Sequence, residues 1–393
     1  MQAPAGADCR RSTERRLQAI RGDVVSFAAW LMLGVEGTAL HRVASLDVHK
    51  RSCTYVVMDW EKVVEGPTRV ATERGALTRL ARAVPDACFV FEATAVHEYV
   101  HDVLTSAGVD VFVYKPFKRE TRRGKSDPQD AVRGGMKYQV GELRRVFVAP
   151  LEVRGVRDGV RDRFFLAHSQ TMYKNHIHGY LNQKDPARER IPRDVEGSTV
   201  FTRRGRLEVL RVFPELASSY EVLEVIHEKL SAADKRLEKI AETLSPVQRM
   251  TSIPGIGTTI GLALYVEIVD PGRFHRAENV VAFFGLDPLK DQSGDSEWDK
   301  HRLSKEGRAY IRGLLVQAAW IHVTRCPESD LAKKYVQLAA RKGKQKAIVA
   351  TARRLLKTAF TLWKENRDFR INGPVVHGLA GTQECLESPR PSE

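Results

Sequence analysis

The sequence predicts a mixed α/β domain followed by an all-α region. Two observations carry this. Between Val43 and the helix that starts at Pro128, short β-branched runs separated by turns alternate with amphipathic stretches. From Leu151 onward the apolar residues recur at helical spacing, with one strict heptad stretch and one polar loop. The 393 residues suffice for two or three domains with real cores. A composition 42% hydrophobic and 28% charged is that of a globular protein. The net charge of +14 points to a polyanionic partner, nucleic acid before membrane.

The five cysteines, Cys9, Cys53, Cys88, Cys326 and Cys385, are scattered and form no CxxC pair. This supports neither a disulfide framework nor a zinc knuckle, and reduced thiols in a cytoplasm are expected. No run of about 18 apolar residues predicts a transmembrane helix. Residues 1–40 form an extension of unknown role. Its Arg10, Arg11, Arg15, Arg16 and Arg21 precede the apolar run Val24–Val35, as in a signal peptide, but Glu36 follows and no small-residue cleavage pattern does. An appended helix and initiation at Met32 both stay open.

In order, "RVASLDV" is a strand with Asp47 near its end, and "SCTYVVMDW" and "KVVEGPTRVAT" are two more. "ERGALTRLARAV" is an amphipathic helix, and "ACFVFEA" a strand ending at Glu92. "VHEYVHDVLTSAG" is a helix stopped by Gly108, and "VDVFVY" a further strand. A loop, Lys115 to Lys125, then carries six basic residues (Lys115, Lys118, Arg119, Arg122, Arg123, Lys125) against one acid. The order β-β-β-α-β-α-β-α implies a mixed sheet with helices on its faces.

"LEVRGVRDGVRDRFFLAHSQTMYKNHIHGYL" is a long basic helix, interrupted by Gly155 and Gly159. Leu223, Leu230, Leu237 and Leu244 recur every seven residues, with Ile226, Ala233 and Ile240 three behind the first three. Such a seam favours a coiled coil, within one chain or between two, that Pro246 ends. Met250 to about Asn366 is mostly helical, and the tail after Gly373 has a disordered composition.

"KSDPQDA" places Asp127 and Asp130 at the start of a helix, where an N-cap and a first-turn acid are an ordinary reading. With the first and fourth strands side by side, however, Asp47, Glu92, Asp127 and Asp130 converge on one edge of the sheet. Four carboxylates suit two Mg²⁺ ions, which take carboxylate oxygens and clamp a phosphodiester. The basic loop would neutralise a nucleic-acid backbone, with Phe117 and Tyr114 stacking on bases unless strand packing uses Tyr114. In "PGIG", Gly255 and Gly257 let a backbone approach phosphate as in a helix-hairpin-helix turn, or simply join two helices. "QSGDS" is loop chemistry by itself, and nucleophilic use of Ser293 would need an activating group. Lys290, Asp295 and Lys305 are nearby candidates to tune it, Lys305 also as a nucleic-acid contact. His176 and His178, two apart on a helix, fall on different faces and read as surface or RNA-facing residues.

Taken together, "SLDVHK", "FEAT", "KSDPQDA", "YKNHIHGYL", "SIPGIG", "FFGLDP…SG" and "LSKEGRAYIRGLL" resemble the DEDD-type insertion-sequence transposases, the bridge-RNA-guided serine recombinases. They span about Val43 to Trp363 in order. The resemblance implies an RNase-H-like, RuvC-type domain over 41–145 that holds Mg²⁺ with Asp47, Glu92, Asp127 and Asp130. It implies a helical coiled-coil linker over 146–246, a C-terminal transposase domain over 247–370 and a disordered tail over 371–393. It makes Ser293 the nucleophile, a structured noncoding RNA the guide, DNA the substrate, and a homodimer or tetramer the working form. Ala95 stands where the family usually has glycine and Arg308 where it has asparagine, near-site departures that leave lowered activity open, while the retained four acids and serine favour a competent enzyme over a relic. Rival readings are a metal-dependent, junction-resolvase-like nuclease and a non-catalytic nucleic-acid-binding scaffold.

Overall fold

The structure is a computed structural model that describes residues 42–60, 62–116, 127–288, 303–305 and 307–371. They fall into two compact units divided between Val148 and Ala149.

The first unit is built on five strands: β1 (Val43–Val48), β2 (Ser52–Asp59), β3 (Lys62–Ala71), β4 (Cys88–Glu92) and β5 (Val111–Tyr114). Their order is β3-β2-β1-β4-β5. β1 pairs antiparallel with β2 and parallel with β4, and β4 pairs parallel with β5. The sheet is therefore mixed, as the element order implies, and β1 and β4 are neighbours. Helices α1 (Arg74–Ala83) and α2 (His97–Ser106) connect the parallel strands.

Side-chain alternation divides this unit into two cores. Ala44, Leu46 and Val48 of β1 pack with Phe89 and Phe91 of β4 and with Leu77, Leu80, Val100 and Leu104 of α1 and α2. Val43, Val56, Met58, Val90 and Tyr114 pack on the opposite face with Ala131 of α3 (Asp127–Gln139). Two glycines let α3 lie this close. A Cβ on Gly134 would sit 2.7 Å from Tyr114 Oη and 3.0 Å from Ser45 Oγ, and one on Gly135 would sit 2.4 Å from Met58 Sδ.

The second unit is helical. α4 (Leu151–Lys184) runs unbroken for 34 residues, so Gly155 and Gly159 do not interrupt it. The hydrogen-bond ladder tolerates glycine at a cost of about 1 kcal/mol each, which packing on neighbouring helices offsets. α5 (Arg203–Val212) and α6 (Ala217–Glu242) follow. The heptad residues Leu223, Ile226, Leu230, Ala233 and Leu237 are buried on α6. That face lies against α4 of the same chain: Leu237 meets Gly159, Tyr220 and Leu223 share a core with Ile177 and Leu181, and Arg163 pairs with Asp234 at 2.7 Å. The helix ends at Glu242, so Leu244 lies beyond it, and Pro246 sits in the first turn of α7 (Ser245–Thr251) rather than closing the seam. Pro suits a first turn, where its missing N–H has no partner to lose.

The rest of the unit comprises α8 (Thr258–Ile268), α9 (Ala277–Phe283), α10 (Ala309–Arg325), α11 (Asp330–Lys342) and α12 (Lys344–Lys364), around a core that includes Leu264, Phe284, Leu315 and Leu356. Three arginines of α4 and its surroundings hold the end of α8. Arg157 Nε donates to Val266 O at 2.9 Å, Arg273 to Ile268 O at 2.6 Å, and Arg161 pairs with the buried Glu267 at 3.0 Å. Cations there complement the helix's unsatisfied carbonyls. No helix of the described residues is long and apolar enough to cross a membrane.

Candidate active site

Strand alternation decides which way the strand acids point. Val43 of β1 and Val90 of β4 pack toward α3, so Asp47 and Glu92, at even spacing from them, face α3 as well. The last paired position is Leu46 opposite Phe91, which brings Asp47 and Glu92 side by side one step further on. Tyr114 lies opposite Glu92 on β5. Asp127 and Asp130 occupy the first turn of α3, over the same end of the sheet.

The charges report this proximity. Burial raises the Asp47 carboxyl above the ordinary carboxylate range; His49 opposes the shift, and the charges of Asp127 and Asp130 reinforce it. Burial also raises the Tyr114 phenol, and Glu92, Asp47 and Asp130 add to that rise. Asp47, Asp127 and Asp130 thus act on one another electrostatically, and Glu92 acts with Asp47 and Asp130 on the Tyr114 phenol, while the tight group of donor atoms holds Asp47 and Asp127 but neither Glu92 nor Asp130. Asp127 is half exposed, whereas Asp47 keeps about a fifth of its side chain open.

One residue was not picked out from the sequence. His49 Nε2 lies 3.1 Å from Asp47 Oδ2 and 3.8 Å from Asp127 Oδ1. One ligand atom from each of the three residues lies within 4.8 Å of the others. The backbone fixes this loop: His49 N donates to Ser52 O at 3.0 Å, and Thr72 Oγ1 donates to His49 O at 2.8 Å. The signal was the period-two spacing of Asp47 and His49 at a strand end, which sends both side chains the same way. Under the acids, Ser45 Oγ is buried without a hydrogen-bond partner. Oxygen and imidazole donors around an under-compensated Asp47 fit a divalent cation, which would offset the burial and the neighbouring charges that raise its pKa.

The other expected contacts divide. Tyr114 is 4% exposed and packs beneath α3, so base stacking is closed to it. Lys115 is exposed at the end of β5. Lys118, Arg119, Arg122, Arg123 and Lys125 lie outside the described residues, as do Phe117, Ser293, Lys290 and Asp295. Gly255 has φ +101°, and a Cβ there would meet Ala318 O at 2.3 Å. Its missing side chain therefore lets the turn pack against α10. Gly257 caps α8 and is open. Lys305 is exposed with φ 54°. His176 is exposed, but His178 stacks edge-on against Phe201 at 5.0 Å, which uses its ring internally.

With the geometry in place, two family models match in chain order. A model of DEDD transposases of IS110, described as "Transposase", covers residues 44–186, and one described as "Transposase IS116/IS110/IS902 family" covers residues 247–337. The chain is an IS110-family transposase. It is 26% identical over 340 residues to the transposase for insertion sequence element IS1111A of Coxiella burnetii, covering 83% of this chain and 85% of that one. It is 27% identical over 190 residues to the "Insertion element IS110 uncharacterized 43.6 kDa protein" of Streptomyces coelicolor, covering 47% and 44%. It is 31% identical over 123 residues to the pilin gene-inverting protein of Moraxella bovis, covering 30% and 37%. The transposase is thus a DNA-recombining enzyme with DNA as its partner. Its five-stranded mixed sheet followed by helices fits the RNase-H-like architecture of DEDD transposases, a family that uses divalent metal.

Proposed function

We propose that this transposase cuts and rejoins DNA at the ends of an insertion sequence with Asp47, Glu92, Asp127 and Asp130 as a Mg²⁺-binding set and Ser293 as nucleophile. The observation that carries the reading is the shared face: Asp47 and Glu92 point toward the helix whose first turn bears Asp127 and Asp130. Two ions bound there would supply Lewis-acid stabilisation of charge on the phosphoryl oxygens. The chain's own part is to hold the carboxylates close together, and to neutralise the DNA backbone with Lys115 and the basic residues that follow it. Ser293 Oγ bonds to phosphorus, one phosphodiester P–O bond breaks, and the departing sugar oxygen takes up a proton. Attack by a freed sugar hydroxyl on the phosphoserine re-forms a phosphodiester and releases the serine. The bond energy is retained in the ester, so no nucleotide cofactor is required. A structured noncoding RNA selects the sites by base pairing, and the protein reads backbone and shape. Residues 41–145 serve as the catalytic domain, 146–246 as a helical linker, and 247–370 as the domain that delivers the serine, with a dimer or tetramer as the working form. Gly255, Gly257 and Lys305 contribute DNA-backbone contacts in that last domain.

The test uses labelled element-end DNA with Mg²⁺ and the RNA transcribed from the element. Wild type yields a covalent protein–DNA adduct that survives denaturation. Asp127→Asn abolishes cutting and adduct, and Ser293→Ala abolishes the adduct and strand exchange. Strand exchange by Ser293→Ala at the normal rate would sink the serine mechanism. Cutting without an adduct would identify a hydrolytic nuclease, and unchanged activity in Asp127→Asn would remove the acids from the chemistry.

A further inference from the structure

We propose that His49 is a metal ligand: its Nε2 joins Asp47 and Asp127 around one divalent cation, and this nitrogen gives the site a preference for Mn²⁺ over Mg²⁺. The inference rests on the metal reading above and deepens it, because His49 lies outside the four-acid set.

The distances argue for shared coordination. An ion with donors at about 2.1 Å in an octahedron holds neighbouring donors about 3 Å apart and opposite ones about 4.2 Å apart. His49 Nε2 stands 3.1 Å from Asp47 Oδ2 and 3.8 Å from Asp127 Oδ1, and one ligand atom from each of the three residues lies within 4.8 Å of the others. A plain hydrogen bond explains the first separation. The second is an ion-pair distance that lies between the neighbouring and the opposite donor spacings of such an octahedron, a separation that a common ion can span. The backbone that carries the imidazole is held in place, since both the main-chain N–H and C=O of His49 are hydrogen-bonded, and Nε2 itself is aimed at Asp47. Its side chain is 57% exposed, so an ion and a DNA phosphate can reach it.

The donor set then has a consequence for ion choice. Mg²⁺ favours oxygen and keeps its waters, whereas imidazole suits the first-row transition ions. One nitrogen beside carboxylates leaves Mg²⁺ usable and favours Mn²⁺.

The experiment uses the full-length protein with Mn²⁺ alone. Pulsed electron paramagnetic resonance of bound Mn²⁺ should show the modulation of a directly bound ¹⁴N, and His49→Gln should remove it. Titration, with Mg²⁺ as competitor, should show that His49→Gln and His49→Ala lose about tenfold or more in Mn²⁺ affinity and much less in Mg²⁺ affinity. Circular dichroism checks that both variants are folded; the exposed loop position makes this the expected result. Bound Mn²⁺ with no nitrogen signal, or an unchanged Mn²⁺-to-Mg²⁺ ratio in both variants, overturns the role of His49 while leaving the carboxylate site standing. No Mn²⁺ or Mg²⁺ binding by wild type overturns both.

Discussion

Replacing Gly134 with alanine tests how closely α3 must approach the sheet for its two acids to serve the site. The added Cβ would sit 2.7 Å from Tyr114 Oη, where ordinary contact begins at 3.4 Å, so helix or ring must yield by about 0.7 Å. Overpacking of this kind costs about 1–3 kcal/mol. Alanine returns about 1 kcal/mol of helix propensity, which leaves a net loss of about 0–2 kcal/mol. The melting temperature therefore falls by only a few degrees. Function should fall further, because a displacement of about 1 Å in a catalytic constellation costs on the order of a hundredfold. Cutting of element-end DNA is expected to drop by about ten- to a hundredfold. Tyr114→Phe removes the obstructing oxygen and leaves Ser45 Oγ at 3.0 Å as the nearest neighbour, a hydroxyl that can rotate away. The double variant should thus recover most of the lost rate, judged against Tyr114→Phe alone in a mutant cycle. Wild-type cutting by Gly134→Ala, or no coupling with Tyr114→Phe, would refute the claim that this contact sets the site.

Three further outcomes follow from named groups. Burial raises the folded-state pKa of Asp47, so the folded chain holds its proton more tightly than the unfolded one. Its contribution to metal-free stability therefore falls as pH rises through the folded value, and Mg²⁺ offsets this; thermal melts should show a Mg²⁺ gain of about 2.7 kcal/mol at a hundredfold excess over Kd at pH 8, little near pH 4, and little in Asp47→Asn. Buried His322 donates from Nδ1 to Pro254 O at 2.8 Å and accepts at Nε2 from Ser329 Oγ at 3.0 Å, and burial lowers its pKa. The unfolded chain takes up the proton first, so stability should drop as pH falls through about 6.5, and His322→Ala should cost about 2–4 kcal/mol in denaturant titrations at pH 7.5. Glu267→Ala leaves Arg161 and the Tyr310 hydroxyl without their shared carboxylate, and should cost about 2–4 kcal/mol by the same assay.

The sheet was legible because its strands are short, β-branched and separated by turns, and because their order restricts the topology. The meeting of the four acids was legible only conditionally. Alternation shows which residues share a face of one strand, but that β1 neighbours β4 is a long-range fact no local pattern contains. Gly134 and Gly135 carry no sequence signal for close packing, since their neighbours Ser45, Met58 and Tyr114 are remote in the chain. Charge was misleading in the second unit. The helix α4 reads as basic, yet Arg157 and Arg161 are spent on the end of α8 and on Glu267, and Arg163 on Asp234. Gly255 was legible in part: glycine marks a close approach, but no local pattern says that the carbonyl of Ala318 is what approaches.

The acid cluster is a place where the fold works against its own electrostatics. Asp127 and Asp130 each raise the pKa of Asp47, so bringing α3 onto the sheet costs repulsion in the metal-free chain. The helix stays because the same surface buries Val43, Val56, Met58, Val90 and Ala131, a gain of about 1.5–3 kcal/mol for each large side chain. Apolar burial is insensitive to ions, whereas the repulsion disappears when a cation binds. The core can therefore hold the acids near one another before any metal arrives, and a bound cation would gain the repulsion energy as binding energy. On this reasoning, substitutions in the α3-facing core such as Val90→Ala should weaken Mg²⁺ binding as well as stability, although Val90 has no donor atom to offer. Equal Mg²⁺ affinity in a folded Val90→Ala protein would show that the acids converge without help from the core.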